Sequence, residues 1–297
     1  MSEQLKTYRG NCHCAEYVFE VQVPESSKPK ECNCSLCYKR GALWLSPKSE
    51  NLHFVKGDPS TLANYTFGGK TWNHKFCSKC GVELMVVGHI TPPQPGEQKE
   101  PVIGVNVRAF QHGQGMDAWA VERDFIDGQS FGKPYEPPKF TGPEPKAVVD
   151  GGKLYTGGCH CGAVRIAVKS KPFDQITGRW KPIQCNCSIC SRHAYAWCYP
   201  PKEQVEIEGE DNLEVYLFNN KLFGKVFCKI CGVSAYNKLQ PITEDQINAM
   251  PEDRQGFVRV WLDRIPINLR VINDLNVNDL GLEVCDGYDR EPRYVEP

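Results

Sequence analysis

Apolar and polar positions alternate along two stretches of the chain, YVFEVQV (17–23) and VRIAVKS (164–170), both rich in β-branched and aromatic residues. That period of two predicts half-buried strands. NYTFGGKTW (64–72) and VYLFNNKLF (215–223) predict hairpins that turn on Gly68-Gly69 and Asn219-Asn220, residues that tolerate positive φ. VIGVNVRAF (102–110) and GFVRVWLDRI (256–265) are expected to add a further strand each. The one helical signal is ITEDQINAM (242–250), with Thr243 placed to cap it. TPPQPGEQKEP (91–101) is expected to be a loop.

The elements come in pairs because the chain repeats itself. Cys12-x-Cys14, Cys32-x-Cys34-x-x-Cys37 and Cys77-x-x-Cys80 recur in order as Cys159-x-Cys161, Cys185-x-Cys187-x-x-Cys190 and Cys228-x-x-Cys231. The flanks match too: GNCHC with GGCHC, CNCSLC with CNCSIC, FCSKCGV with FCKICGV. Trp44 and Trp197 share an offset, and Asp127-Gly128 with Tyr135 recurs as Asp286-Gly287 with Tyr294. Two copies make a duplication rather than a solenoid, which needs more repeats to bury its core. Between them lies EPPKFTGPEPKAVVDGGK, too rich in proline and glycine for regular structure. The expected organisation is a first domain at 1–135, a linker at 136–153 and a second domain at 154–297.

Composition narrows the class. With 35 basic and 36 acidic residues the chain lacks the basic excess of a general nucleic-acid binder. Its hydropathy offers no run of roughly 18–20 apolar residues to span a bilayer, and MSEQLKTYRG lacks the apolar stretch of a secretory signal. The expectation is a protein of the cytoplasm, or of the nucleus. Sixteen cysteines in such a compartment point to metal thiolates rather than a disulfide scaffold. Each copy's core is thin enough to need the metal.

Seven cysteines per copy divide into four and three. Four thiolates close the shell of a structural zinc; three leave a position open, as catalytic sites do. Spacing alone does not say which cysteines share an ion, nor whether it is zinc or iron, since sulfur-rich sites accept both. The order CHC, CNCSxC, FCxxCG resembles the glutathione-dependent formaldehyde-activating enzyme family, which includes centromere protein V, and does so twice over nearly the whole chain. The resemblance implies an all-β fold of two tandem β-tent zinc domains, with short antiparallel strands and long loops. It implies structural zinc on Cys12, Cys14, Cys77 and Cys80, and on Cys159, Cys161, Cys228 and Cys231. It also implies open zinc sites on Cys32, Cys34 and Cys37 and on Cys185, Cys187 and Cys190, up to four ions per chain and two per domain.

Three thiolates on Zn²⁺ leave about one net negative charge, a weak Lewis acid toward water, yet such a site can hold an added thiol as thiolate near neutral pH. The function implied is a carbon–sulfur lyase-like enzyme forming or cleaving the adduct of a thiol, glutathione in the family, with a small molecule. The alternative is a non-catalytic structural-zinc module that binds protein. Around the sites, His13 and His160 are expected to point away from the metal their neighbours share. His193 is either a proton carrier at the second open site or a solvated loop residue. Trp44 and Trp197 either wall a pocket or pack in the core. Lys39 and Arg192 are candidates for a substrate carboxylate, against the plainer reading of surface bases. Cys198 and Cys285 fall outside the pattern and receive no role. Ala15, where the second copy has Gly162, and the longer spacer FDQITGRWKPIQ (173–184) mildly favour the second copy as the active one.

Overall fold

A computed structural model describes residues 4–91, 93–94 and 97–297. In the first half, β1 (Leu5–Asn11), β2 (Val18–Pro24) and β5 (Leu52–Lys56) form an antiparallel sheet in the order β1-β2-β5. Its strand β2 buries Phe19, Val21 and Val23 on one face, as the alternation predicts. The second sheet adds β3 (Lys30–Cys32), β4 (Leu43–Leu45), β6 (Ala63–Tyr65), β7 (Trp72–Phe76), β8 (Glu83–Gly88), β9 (Val102–Asn106) and β10 (Asp124–Ile126). They run in the order β10-β3-β4-β9-β8-β7-β6. All pairs are antiparallel, as expected, except β10 with β3, which is parallel. The exception arises because the tail of each half returns alongside the strand that leads into CxCxxC.

The second half repeats this arrangement. Its small sheet is β11 (Lys153–Gly158), β12 (Arg165–Ser170) and β15 (Val205–Glu208). Its large sheet uses β13 (Ile183–Cys185), β14 (Ala196–Cys198), β16 (Leu213–Leu217), β17 (Phe223–Cys228), β18 (Ser234–Leu239), β19 (Ile267–Asn268) and β20 (Glu283–Cys285). Their order, β16-β17-β18-β19-β14-β13-β20, is the first half's order strand for strand. The fold is mostly β, with two short sheets and two larger ones.

Helices are few. Each CxCxxC loop runs into a short one, α1 (Ser35–Arg40) and α2 (Ser188–His193), closed by Gly41 and Ala194 in left-handed conformation. The predicted helix in ITEDQINAM is α3 (Glu244–Asn248), with Thr243 in a full capping box. The strand expected at GFVRVWLDRI is instead part of a helix, α4 (Glu252–Leu262). Pro251 and two acidic residues start it, and Phe257, Val258, Trp261 and Leu262 recur at helical spacing. The second half's true counterpart of β9 is the two-residue β19 that follows it. Of the expected loop at 91–101, Pro92, Pro95 and Gly96 lie outside the described residues; the rest forms no regular element. The hairpins hold, with Gly68 and Lys70 in one turn and Asn219 and Lys221 in the other at positive φ. No helix among the described residues is long and apolar enough to cross a membrane.

The two halves exchange core residues. Leu36 of α1 is fully buried in the cluster built on Val164, Ile166 and Val226, and Ile189 of α2 in the one built on Phe19 and Val82. The variable apolar residue of CNCSLC and CNCSIC therefore belongs to the opposite half's core.

Candidate metal centres and the interface between them

Four groups of cysteine sulfurs gather in space, the members of each lying within 4.8 Å of one another. Two are quartets: Cys12, Cys14, Cys77 and Cys80, and Cys159, Cys161, Cys228 and Cys231. Sγ–Sγ distances are 3.5 Å for Cys12–Cys14 and 3.6 Å for Cys14–Cys77, and 3.5 and 3.7 Å for Cys159–Cys161 and Cys161–Cys228. A tetrahedral ion with metal–sulfur bonds of about 2.3 Å needs edges of about 3.8 Å, so both quartets fit one. Cys12, Cys77, Cys80, Cys159, Cys228 and Cys231 are fully buried. Backbone N–H groups donate to sulfur on each, from Tyr17 to Cys12 and from Val164 to Cys159.

The other two groups are triplets, Cys32, Cys34 and Cys37, and Cys185, Cys187 and Cys190, and they differ in exposure. Cys37 and Cys190 are buried, while the other four are half-buried. For Cys37 the neighbouring sulfurs first, and then burial, push the thiol up, a penalty that a cation removes. The indole N–H of Trp44 donates to Cys37 Sγ at 3.3 Å, and that of Trp197 to Cys190 Sγ at 3.4 Å. Trp44, Val86 and Trp72 pack beside the first triplet. Its outer side is crossed by the backbone at Gly128, where a Cβ would stand 2.3 Å from Cys32 Sγ; Gly287 makes the same approach to Cys185 at 2.5 Å. Asn33 and Asn186 hold these crossings, donating to Asp127 and Asp286 and accepting from the backbone of Gln129 and Gly287.

Each triplet's helix leans on the other half's quartet. Ser35 Oγ lies 2.9 Å from His160 Nε2, and Ser188 Oγ lies 3.0 Å from His13 Nε2. The remaining ring nitrogens meet Tyr65 and Tyr216 hydroxyls at 2.8 and 2.9 Å. Both nitrogens of each ring are thus occupied, and His13 and His160 face away from the metal groups. Burial pushes His13 down to about 3 and His160 to about 4, so both are neutral at physiological pH. Tyr135 and Tyr294 donate to the backbone carbonyls of His160 and His13.

Three sequence-based expectations change here. Lys39 and Arg192 are buried and already engaged: Lys39 on the carbonyls of Gly158 and Val271, Arg192 on those of Asn11 and Ser188 and on the carboxylate of Glu296. Neither is free for a substrate carboxylate. His193 is neither solvated nor at the second triplet; it spans from Ser234 Oγ to the carbonyl of Cys80. Its counterpart Arg40 reaches the carbonyl of Cys231 and forms a buried ion pair with Glu83. Asn106 and Asn268, which the sequence reading passed over, serve as struts. Asn106 accepts from the N–H of Leu43 and donates to the carbonyl of Glu83, and Asn268 does the same with Ala196 and Ser234. The repeated tripeptides NVR (106–108) and NLR (268–270) carried that signal.

A crystal structure of a Rhodobacter sphaeroides protein is 22% identical over 44% of this chain and 99% of that one, with a TM-score of 0.32. The profile of the family described as "Glutathione-dependent formaldehyde-activating enzyme" matches residues 7–118 and 154–250, most of both halves. Carrying the family's cysteine pattern twice, the chain belongs to the glutathione-dependent formaldehyde-activating enzyme family.

Proposed function

We propose that this chain is a zinc-dependent carbon–sulfur lyase-type enzyme that forms or cleaves the adduct of a thiol, glutathione by family likeness, with a small carbonyl compound. The observation that carries the reading is the contrast between complete quartets and half-buried triplets within one fold. Bound at Cys32, Cys34 and Cys37, or at Cys185, Cys187 and Cys190, zinc would supply an open position that holds an added thiol as thiolate.

The chain's own residues support that chemistry. The indole N–H of Trp44 withdraws charge from Cys37, which limits the electron density that three thiolates put on the ion. Trp72 and Val86 present apolar surface beside the triplet, limiting access of water where a thiolate must meet a carbonyl carbon. Gly128 lets the backbone cross against Cys32 and so narrows the approach to the site.

The test is titration of the cobalt-substituted protein with glutathione, followed by visible absorption. A saturable change without metal loss is expected. A spectrum that does not respond, with cobalt retained at all groups, would sink the proposal in favour of a structural module.

A further inference from the structure

The two triplets are not equivalent, and the difference lies in one residue and its surroundings. β10 pairs with β3 so that Ile126 stands beside Cys32. In the second half β20 pairs with β13 in the same register, and the residue beside Cys185 is Cys285. Partners in a parallel pair point to the same face about 4.8 Å apart. The Cys285 side chain accordingly lies on the same face of the pair as that of Cys185. It stands outside the compact group of three and is half-exposed.

A second difference is electrostatic. His74 of β7, bonded to Glu83 at 2.8 Å, corresponds to Lys225 of β17. The Lys225 side chain is buried, with Nζ 4.7 Å from the Trp197 ring centroid and 5.2 Å from that of Tyr195. The same Trp197 indole donates to Cys190 Sγ at 3.4 Å, so the ammonium stands one ring away from the triplet. Three thiolates on a divalent ion leave one net negative charge, and four leave two. The half with the extra cysteine is the half with a buried ammonium to offset the extra charge.

We infer that Cys285 is the fourth ligand of the second triplet, closing that site with four sulfurs and leaving Cys32, Cys34 and Cys37 as the position that accepts an exogenous thiol. On ligation Cys285 gives its proton to solvent and no electron is transferred. This reverses the preference for the second copy drawn from Ala15 and the longer spacer. It rests on the reading of the triplets as metal sites and refines where substrate binds.

The test is cadmium-113 NMR of the full chain loaded with cadmium alone, because four-sulfur cadmium resonates downfield of cadmium with three sulfurs and an oxygen or nitrogen. The wild-type spectrum is expected to show three four-sulfur resonances, two from the quartets and one from the second triplet with Cys285, and one mixed resonance. Cys285→Ala is expected to move one resonance from the first class to the second. Two mixed resonances in the wild type, or a spectrum indifferent to Cys285→Ala, would overturn the assignment. Should the variant not fold, the wild-type count decides alone. Adding glutathione afterwards probes the thiol-binding proposal separately, since the count stands whether or not the mixed resonance responds.

Discussion

Replacing Arg40 with methionine removes a cation from the seam between the halves while keeping most of its bulk. Arg40 and Glu83 side chains are 5% and 3% exposed. The ion pair runs to Glu83 Oε1, which also meets His74 at 2.8 Å, while Oε2 has no hydrogen-bond partner among the described residues. Arg40 also bonds the carbonyl of Cys231 and lies over the Phe76 ring at 5.2 Å. Removing one partner of a buried pair costs about 3–5 kcal/mol, because the other charge is left desolvated. Against a typical stability of about 5–15 kcal/mol, that is a large share. Urea unfolding of the zinc-loaded protein, compared at constant m-value, is the assay. Glu83→Gln should cost less, since an amide oxygen still accepts from Arg40. In the double variant the two losses should fall short of additive by about 1–3 kcal/mol. A loss under about 1 kcal/mol for Arg40→Met, or strict additivity, would refute the claim that this buried pair holds Arg40 in place against the carbonyl of Cys231 in the other half.

Leu36→Ala should destabilise by about 2–5 kcal/mol, with hydrogen exchange accelerating around Val164 and Ile166 of the other half rather than around α1's own sheet. Ala15, at φ 59°, occupies the position that Gly162 fills in the second half, so Ala15→Gly should raise stability by about 0.5–1 kcal/mol in the same unfolding assay. Burial holds His193 at about 3, below the ordinary 6.5 of histidine. Its folded pKa is depressed, so the unfolded chain takes up a proton that the folded chain refuses as pH falls from about 6.5 toward 3. His193→Gln should therefore flatten the loss of stability between about pH 6 and 4 by about 1.4 kcal/mol per pH unit, measured against wild type in excess zinc. Chelation that strips the quartets should unfold both halves, since one closed zinc site contributes on the order of 10 kcal/mol. Circular dichroism that stays native after complete metal removal would contradict this.

Most of the local structure could be read from residue patterns. Alternation marked β2 and β12, glycine and asparagine pairs marked the hairpins, and Thr243 marked the cap of α3, because each is a short-range property of backbone and solvent. The fourteen cysteines could be grouped by spacing and family likeness because a CxC or CxxC turn presents two sulfurs together wherever it folds. The misreading of GFVRVWLDRI has a physical cause: β-branched residues at its centre favour strand locally, while packing of Val258 and Trp261 against neighbours decides for helix. Lys39, Arg192 and His193 looked like loop-end polar residues because their partners are carbonyls more than a hundred residues away, at Gly158, Asn11 and Cys80. Spacing likewise cannot show that Ser35 meets His160, that Leu36 fills the other half's core, or that Cys285 stands beside Cys185. Those contacts arise when the two halves pack against each other and their tails return alongside β3 and β13. Residue order alone therefore determined the cysteine groups and the duplication. Which cysteines gather, which residues seal the seam and which neighbours each triplet has was decided only by tertiary docking, because those features depend on burial and on neighbours that chain separation hides.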